Sequence, residues 1–143
     1  MNVEKIQEMW ETDSVIDPDN LHDASIEIPK LHSKYYNLYN TVTLLKSNAK
    51  QQYNRVHLDR YNFYTGKADP EVYEEEPFPY KVRDKDSLDR HLKADKRLSD
   101  IELKIQYYDV MLKFLEDILK TIQNRTFQIK NAIEWQKFQA GFS

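Results

Sequence analysis

From Ile28 onward the apolar side chains fall at steps of three and four: Ile28, Leu31, Tyr35, Leu38, Val42, Leu45, Ala49, Val56 and Phe63. That spacing keeps them on one side of a helix with 3.6 residues per turn and makes a heptad seam. Two slots in the series, Gln52 and Asp59, are polar. The pattern predicts a helix from Ile28 to about residue 64, roughly 50 Å long, ended by Gly66. A second series runs through Leu98, Ile101, Ile105, Tyr108, Leu112, Leu115, Leu119, Ile122, Thr126, Ile129 and Ile133. Beside it lies another apolar line of Met111, Phe114, Ile118, Phe127 and Trp135. Together they make a stripe too wide for one partner helix, so this helix is expected to meet neighbours on two sides. A helix over 98–138 would be about 60 Å long, whereas a compact subunit of this size is only about 37 Å across. The expectation is a hairpin with the first long helix, plus contacts with other copies of the chain through Ile105, Tyr108, Leu112, Leu115, Leu119 and Ile122.

The remaining stretches are shorter. Residues 3–12 read as an amphipathic helix capped by Asn2, with Val3, Ile6, Met9 and Trp10 on one face. Residues 13–20 carry Pro18 and Asp/Asn turn chemistry and read as a connection. Leu21 to Ile28 fits one or two helical turns, and Pro29 suits the start of the long helix. Residues 66–86, with three prolines and an acidic run, read as a loop that packs few apolar side chains, with Glu74 to Glu76 projecting from it. Ser87 is a candidate cap for a short helix over 88–93. The predicted fold class is all-α, built of long amphipathic helices with coiled-coil-like heptads. It is read as a single domain over 1–143: N-terminal helices to residue 67, an acidic, proline-bearing loop over 68–86, and C-terminal helices over 87–143.

Composition agrees with long helices: there are only 2 Gly and 5 Pro, and 31% of residues are charged. Aromatic residues reach 13%, enough for a core. The absence of cysteine removes disulfides, thiolate metal sites and cysteine nucleophiles. The N-terminus lacks the apolar segment of a signal peptide, and no apolar run approaches the ~20 residues of a membrane span. Nothing in the sequence suggests an enzyme. Two glycines cannot build a phosphate loop, and no Gly-x-Ser-x-Gly motif occurs. His22, His32, His57 and His91 are too scattered for a helical metal pair. Neither a metal nor a cofactor is expected.

Charge changes the picture more. The net charge is −3, but it is distributed in blocks. Residues 28–67 hold seven bases and one acid, between an N-terminal stretch and a following segment that are both strongly acidic; residues 81–97 are again basic. Lys46, Lys50, Arg55, Arg60 and Lys67 are interleaved with Tyr61, Tyr64 and other tyrosines. Phosphates need cations, and unpaired bases stack on aromatic rings, so this mixture suits single-stranded nucleic acid. Composition by itself favours the plainer alternative, a solvated basic face with tyrosines half-buried in a helix interface. At about 100° per residue, Lys46 and Lys50 make a close pair while Arg60 points about 80° away from Lys50. Any DNA site must then be composite, spanning the helix end and the Gly66 turn, with or without a neighbouring subunit.

Short segments, in order, resemble the UvsY family of phage recombination mediators. They are Asp13 to Asp17, Leu31-His32-Ser33-Lys34, Tyr64-Thr65-Gly66-Lys67, Leu92-Lys93-Ala94-Asp95-Lys96, Leu103 to Tyr108, Phe127-Gln128-Ile129-Lys130 and Phe138-Gln139-Ala140-Gly141. The resemblance implies single-stranded DNA binding by a ring-like homo-oligomer of about six or seven copies. Its implied partners are a phage recombinase and a phage single-strand-binding protein, in the cytoplasm of the infected bacterial host. It implies assembly through the C-terminal helical segment. It also implies a DNA-contacting Lys-x-Arg-Leu motif, from which this sequence departs: Leu58 stands in place of the lysine, Arg60 keeps the arginine, and Tyr61 replaces the leucine. The alternative is a structural coiled-coil scaffold without DNA affinity.

Overall fold

A computed structural model describes residues 2–141, and every regular element among them is an α-helix. In chain order these are α1 (Val3–Asp13), α2 (Leu21–Ile26), α3 (Ile28–Tyr64), α4 (Pro70–Glu75), α5 (Lys85–Ala94) and α6 (Lys96–Gln139). The chain forms two compact units: Met1–Thr43 with Val110–Ser143, and Leu44–Asp109. Both long helices run through both units.

In the first unit the core is Ile6 of α1, Leu21 of α2, Tyr35 and Val42 of α3, and Met111, Leu115, Ile118, Ile122 and Ile129 of α6. Asn2 caps α1 by accepting from the Lys5 N–H at 2.8 Å, as expected. Trp10 packs its edge on Tyr35, with ring centroids 5.4 Å apart. Pro29 sits in the first turn of α3, where its missing N–H costs nothing.

The α6 core line differs from the expected seam. Met111, Leu115, Ile118, Ile122, Arg125 and Ile129 point inward, so Met111 and Ile118 move from the side line into the centre, and Arg125 replaces Thr126. A straight helix drifts relative to a strict heptad over this length, which hands the buried position to a neighbouring residue. Leu115 and Ile122, at 0% and 1% exposed, are occupied by the core of their own chain. They are therefore closed to a second copy, contrary to expectation. Ile105, Tyr108, Leu112 and Leu119 are half-buried.

In the second unit α3 ends at Gly66, whose positive φ of 78° lets the Lys67 N–H reach back to the Asn62 carbonyl at 2.8 Å. A Cβ at residue 66 would come within 2.9 Å of the Lys81 side chain. The segment that follows is not the sparsely packed loop that its prolines and acids predict. Pro70 opens the single turn and a half of α4, and Tyr73, Phe78 and Val82 pack on the buried cluster of Phe63, Tyr64, Leu92 and Leu98. Phe78 lies 5.3 Å from the Phe63 ring and 5.4 Å from the Tyr64 ring. The Tyr73 hydroxyl donates to the Phe63 carbonyl at 2.8 Å. Asp84 rather than Ser87 caps α5, accepting from the Ser87 N–H at 2.9 Å.

Candidate nucleic-acid interface

Seven residues apart on α3 stand Lys46, Tyr53 and Arg60, and seven apart on α6 and its cap stand Asp109, Glu102 and Asp95. The antiparallel helices pair them rung by rung. Lys46 Nζ lies 2.5 Å from Asp109 Oδ1. The Tyr53 hydroxyl donates to Glu102 Oε1 at 3.0 Å, and Arg60 Nε donates to Asp95 Oδ2 at 2.6 Å. In the first unit, Tyr39 and Glu116 make the same kind of pair at 3.2 Å. Tyr53 and Arg60 thus fill the half-buried and buried positions that the apolar pattern left to the polar Gln52 and Asp59.

Arg60 is the most heavily engaged of these side chains. It is 4% exposed, and besides Asp95 it donates to both carboxylate oxygens of Glu76, at 2.9 and 3.1 Å, and to the Tyr64 hydroxyl at 3.4 Å. Its guanidinium lies 4.2 Å from the Phe63 ring centre. Burial opposes its charge, but the bonds to Glu76, Tyr64 and Asp95 more than offset that and raise its pKa. Asp95 joins three elements: it ends α5, its Oδ1 accepts from the Arg97 and Leu98 N–H groups to cap α6, and its Oδ2 takes Arg60 and the Tyr64 hydroxyl at 2.7 Å. Burial pushes its carboxyl pKa up, yet the bonds from Tyr64, Arg60 and Leu98 win and hold it below the usual range. Glu76 is lowered chiefly by Arg60.

Arg60 and Tyr64 were expected to meet DNA. With both buried and their polar atoms in this network, neither presents the exposed face that a phosphate contact or a stacking platform needs. Glu76, expected to project with Glu74 and Glu75, turns inward to the same arginine. Lys46 is largely covered and ion-paired.

Lys50, Arg55, Tyr61 and Lys67 remain at the surface. Lys50, Asn54, His57 and Tyr61 stand at steps of four, three and four, within about 60° of one another around α3. This stripe ends at a cleft of about 370 Å³ in which His57 and Tyr61 face Arg83, Lys85 and Leu88. Lys67 Nζ lies 5.9 Å from the Tyr61 ring centre. Arg83 and Lys85 are exposed and have no carboxylate within 4.0 Å among the described residues; Asp89 is the one acid of the cleft lining. Four cations and two rings therefore share one surface of the second unit. Sequence reasoning missed His57, Arg83 and Lys85. For Arg83 and Lys85 the signal was the net basic stretch 81–97, which has no apolar periodicity to say which way its side chains point; for His57 it was the four-three-four spacing with Lys50, Asn54 and Tyr61 on α3.

The family model described as "Recombination, repair and ssDNA binding protein UvsY" matches residues 9–142. The recombination protein uvsY of Enterobacteria phage T4 is 25% identical over 141 residues, 99% of each chain. Two crystal structures of the bacteriophage T4 recombination mediator protein UvsY, in different lattices, are similar to this chain. One has a TM-score of 0.84 at 25% identity and covers 98% of both chains. The other has a TM-score of 0.82 at 23% identity and covers 97% of this chain and 99% of its own.

Proposed function

The chain belongs to the UvsY family of recombination, repair and single-stranded-DNA-binding proteins, and from that premise we propose that it is a mediator acting in the infected bacterial host, which holds single-stranded DNA along the Lys50–Tyr61 stripe and its Arg83–Lys85 cleft. The observation that carries this reading is the gathering of exposed cations with the Tyr61 ring and the half-buried His57 ring on one surface. Cations neutralise phosphates, and rings such as Tyr61 and His57 accept unstacked bases whatever their sequence. Arg60 then acts at one remove. It fixes the ends of α3, α5 and α6, and so sets where Tyr61 and Arg83 stand.

The mediator works as a homo-oligomer, a ring in this reading, which loads a recombinase onto DNA covered by single-strand-binding protein. Support comes from the apolar side chains α6 leaves uncovered. Leu103, Val110, Phe127, Trp135 and Phe138 are all more than half exposed, more surface than a lone chain usually leaves in water. Half-buried Ile105, Tyr108, Leu112 and Leu119, about half a turn around α6 from Leu103 and Val110, offer a second face to a neighbouring copy.

Binding of fluorescein-labelled oligothymidine, titrated across salt concentration, tests the DNA reading. Affinity should fall linearly on a log–log plot against salt. Leu58→Lys, at an exposed position beside the stripe, should tighten binding and steepen the slope by about 0.7. A chain that fails to bind even at low salt is the scaffold, not the mediator.

A further inference from the structure

The first unit holds a cavity of about 600 Å³ that the DNA reading does not use. Arg125 of α6 forms one wall. It is 7% exposed, and its Nη2 donates to the Asp13 and Ser14 carbonyls at 2.9 Å each. Those are carbonyls that α1 leaves open at its end, so Arg125 supplies the cation that the last turn of α1 lacks. No carboxylate lies within 4.0 Å of its guanidinium among the described residues. The nearest acid, Asp13, is taken by Lys34 at 2.6 Å and by the Tyr35 hydroxyl at 2.8 Å. A buried charge is normally paired, and an unpaired one is costly. Burial accordingly lowers the Arg125 pKa, only partly opposed by Asp13. The charge faces open volume, with Lys30 and Lys34 at the rim and Val15, Ala24 and Leu31 along the wall.

We propose that this cavity binds an acidic peptide segment of a partner protein, seating one carboxylate on Arg125 and its aliphatic neighbours on Val15, Ala24 and Leu31. Three features favour a peptide over nucleic acid. The lining has no aromatic ring to stack a base. Its cations other than Arg125 are already paired, Lys34 with Asp13 and Lys30 with Glu27, so it can neutralise one negative charge rather than a run of phosphates. Its walls are aliphatic, which suits side chains flanking an acid.

The probe is a fluorescein-labelled, end-blocked hexapeptide of alternating leucine and glutamate, with its glutamine counterpart as control, read by anisotropy with the full chain. The glutamate peptide should bind at least tenfold tighter than the control. Val15→Glu should remove that preference without touching the fold, because Val15 is 72% exposed and lines the cavity. Arg125→Gln should remove it too. An equal affinity for the two peptides overturns the proposal, as does a preference that survives Val15→Glu. Displacement by inorganic phosphate or oligothymidine at matching concentration overturns the assignment to peptide and marks a general anion site.

Discussion

Each unit buries one arginine, and the two are held in opposite ways. Arg60 has two carboxylates, a hydroxyl and an aromatic face, so its charge is neutralised within the chain. Arg125 has two backbone carbonyls and a cavity. The difference separates a structural cation from one that can still attract a ligand. Arginine in a basic block is not in itself evidence of a phosphate contact: what counts is how many of its partners the fold already supplies.

The largest expected effect comes from breaking the better-paired arginine. Arg60→Ala leaves Asp95 buried without its cation and should cost about 3–5 kcal/mol of unfolding free energy. Adding Asp95→Asn, which keeps a cap oxygen for α6, should recover part of that loss in a double-mutant cycle by urea denaturation. Additive losses would mean that the two side chains are not energetically coupled. Arg125→Ala strands no carboxylate and removes only bonds to carbonyls, so about 1–3 kcal/mol is expected. A cost equal to that of Arg60 would erase the contrast between the two sites.

Acid should act on the second unit through the same network. Asp95 and Glu76 have folded pKa values below the ordinary carboxylate range. Their contribution is therefore complete above the unfolded carboxylate pKa of about 4 and drains away as pH falls through the lower folded values. Unfolding followed by near-ultraviolet dichroism, which reads the tyrosines around Arg60, should show this loss below about pH 4. Arg60→Ala should flatten that acid limb, since it removes the cation both acids share.

The long helices were legible because burial on one side imposes a period on the sequence. Ile28 to Tyr64 and Lys96 to Gln139 match the predicted spans to within about two residues at each end. Polar side chains carry no such mark. Lys46, Tyr53 and Arg60 occupy inward positions because Asp109, Glu102 and Asp95 stand opposite, and these pairings span 35 to 63 residues of sequence. Local patterning cannot see partners at that distance. The segment from Pro70 to Val82 misled for a related reason: its prolines and acids look like loop chemistry, while Tyr73 and Phe78 close the core. In the candidate interface Lys50, Tyr61 and Lys67 were read from composition and stand exposed; Arg55, also exposed, points about 140° away from Lys50 around α3 and falls outside it. Arg83 and Lys85, by contrast, needed the packing of the segment before them to place them.

The contrast between buried and free cations is tested most directly by the salt slope of oligothymidine binding for Arg83→Ala/Lys85→Ala. Both residues are exposed and unpaired, so unfolding in urea should be unchanged to within about 0.5 kcal/mol. The slope of log K against log salt should flatten by about 1.4, the equivalent of two counterions released from a single strand. A slope equal to that of the parent chain, with the same stability and the same oligomer mass, would contradict the placement of DNA on this face.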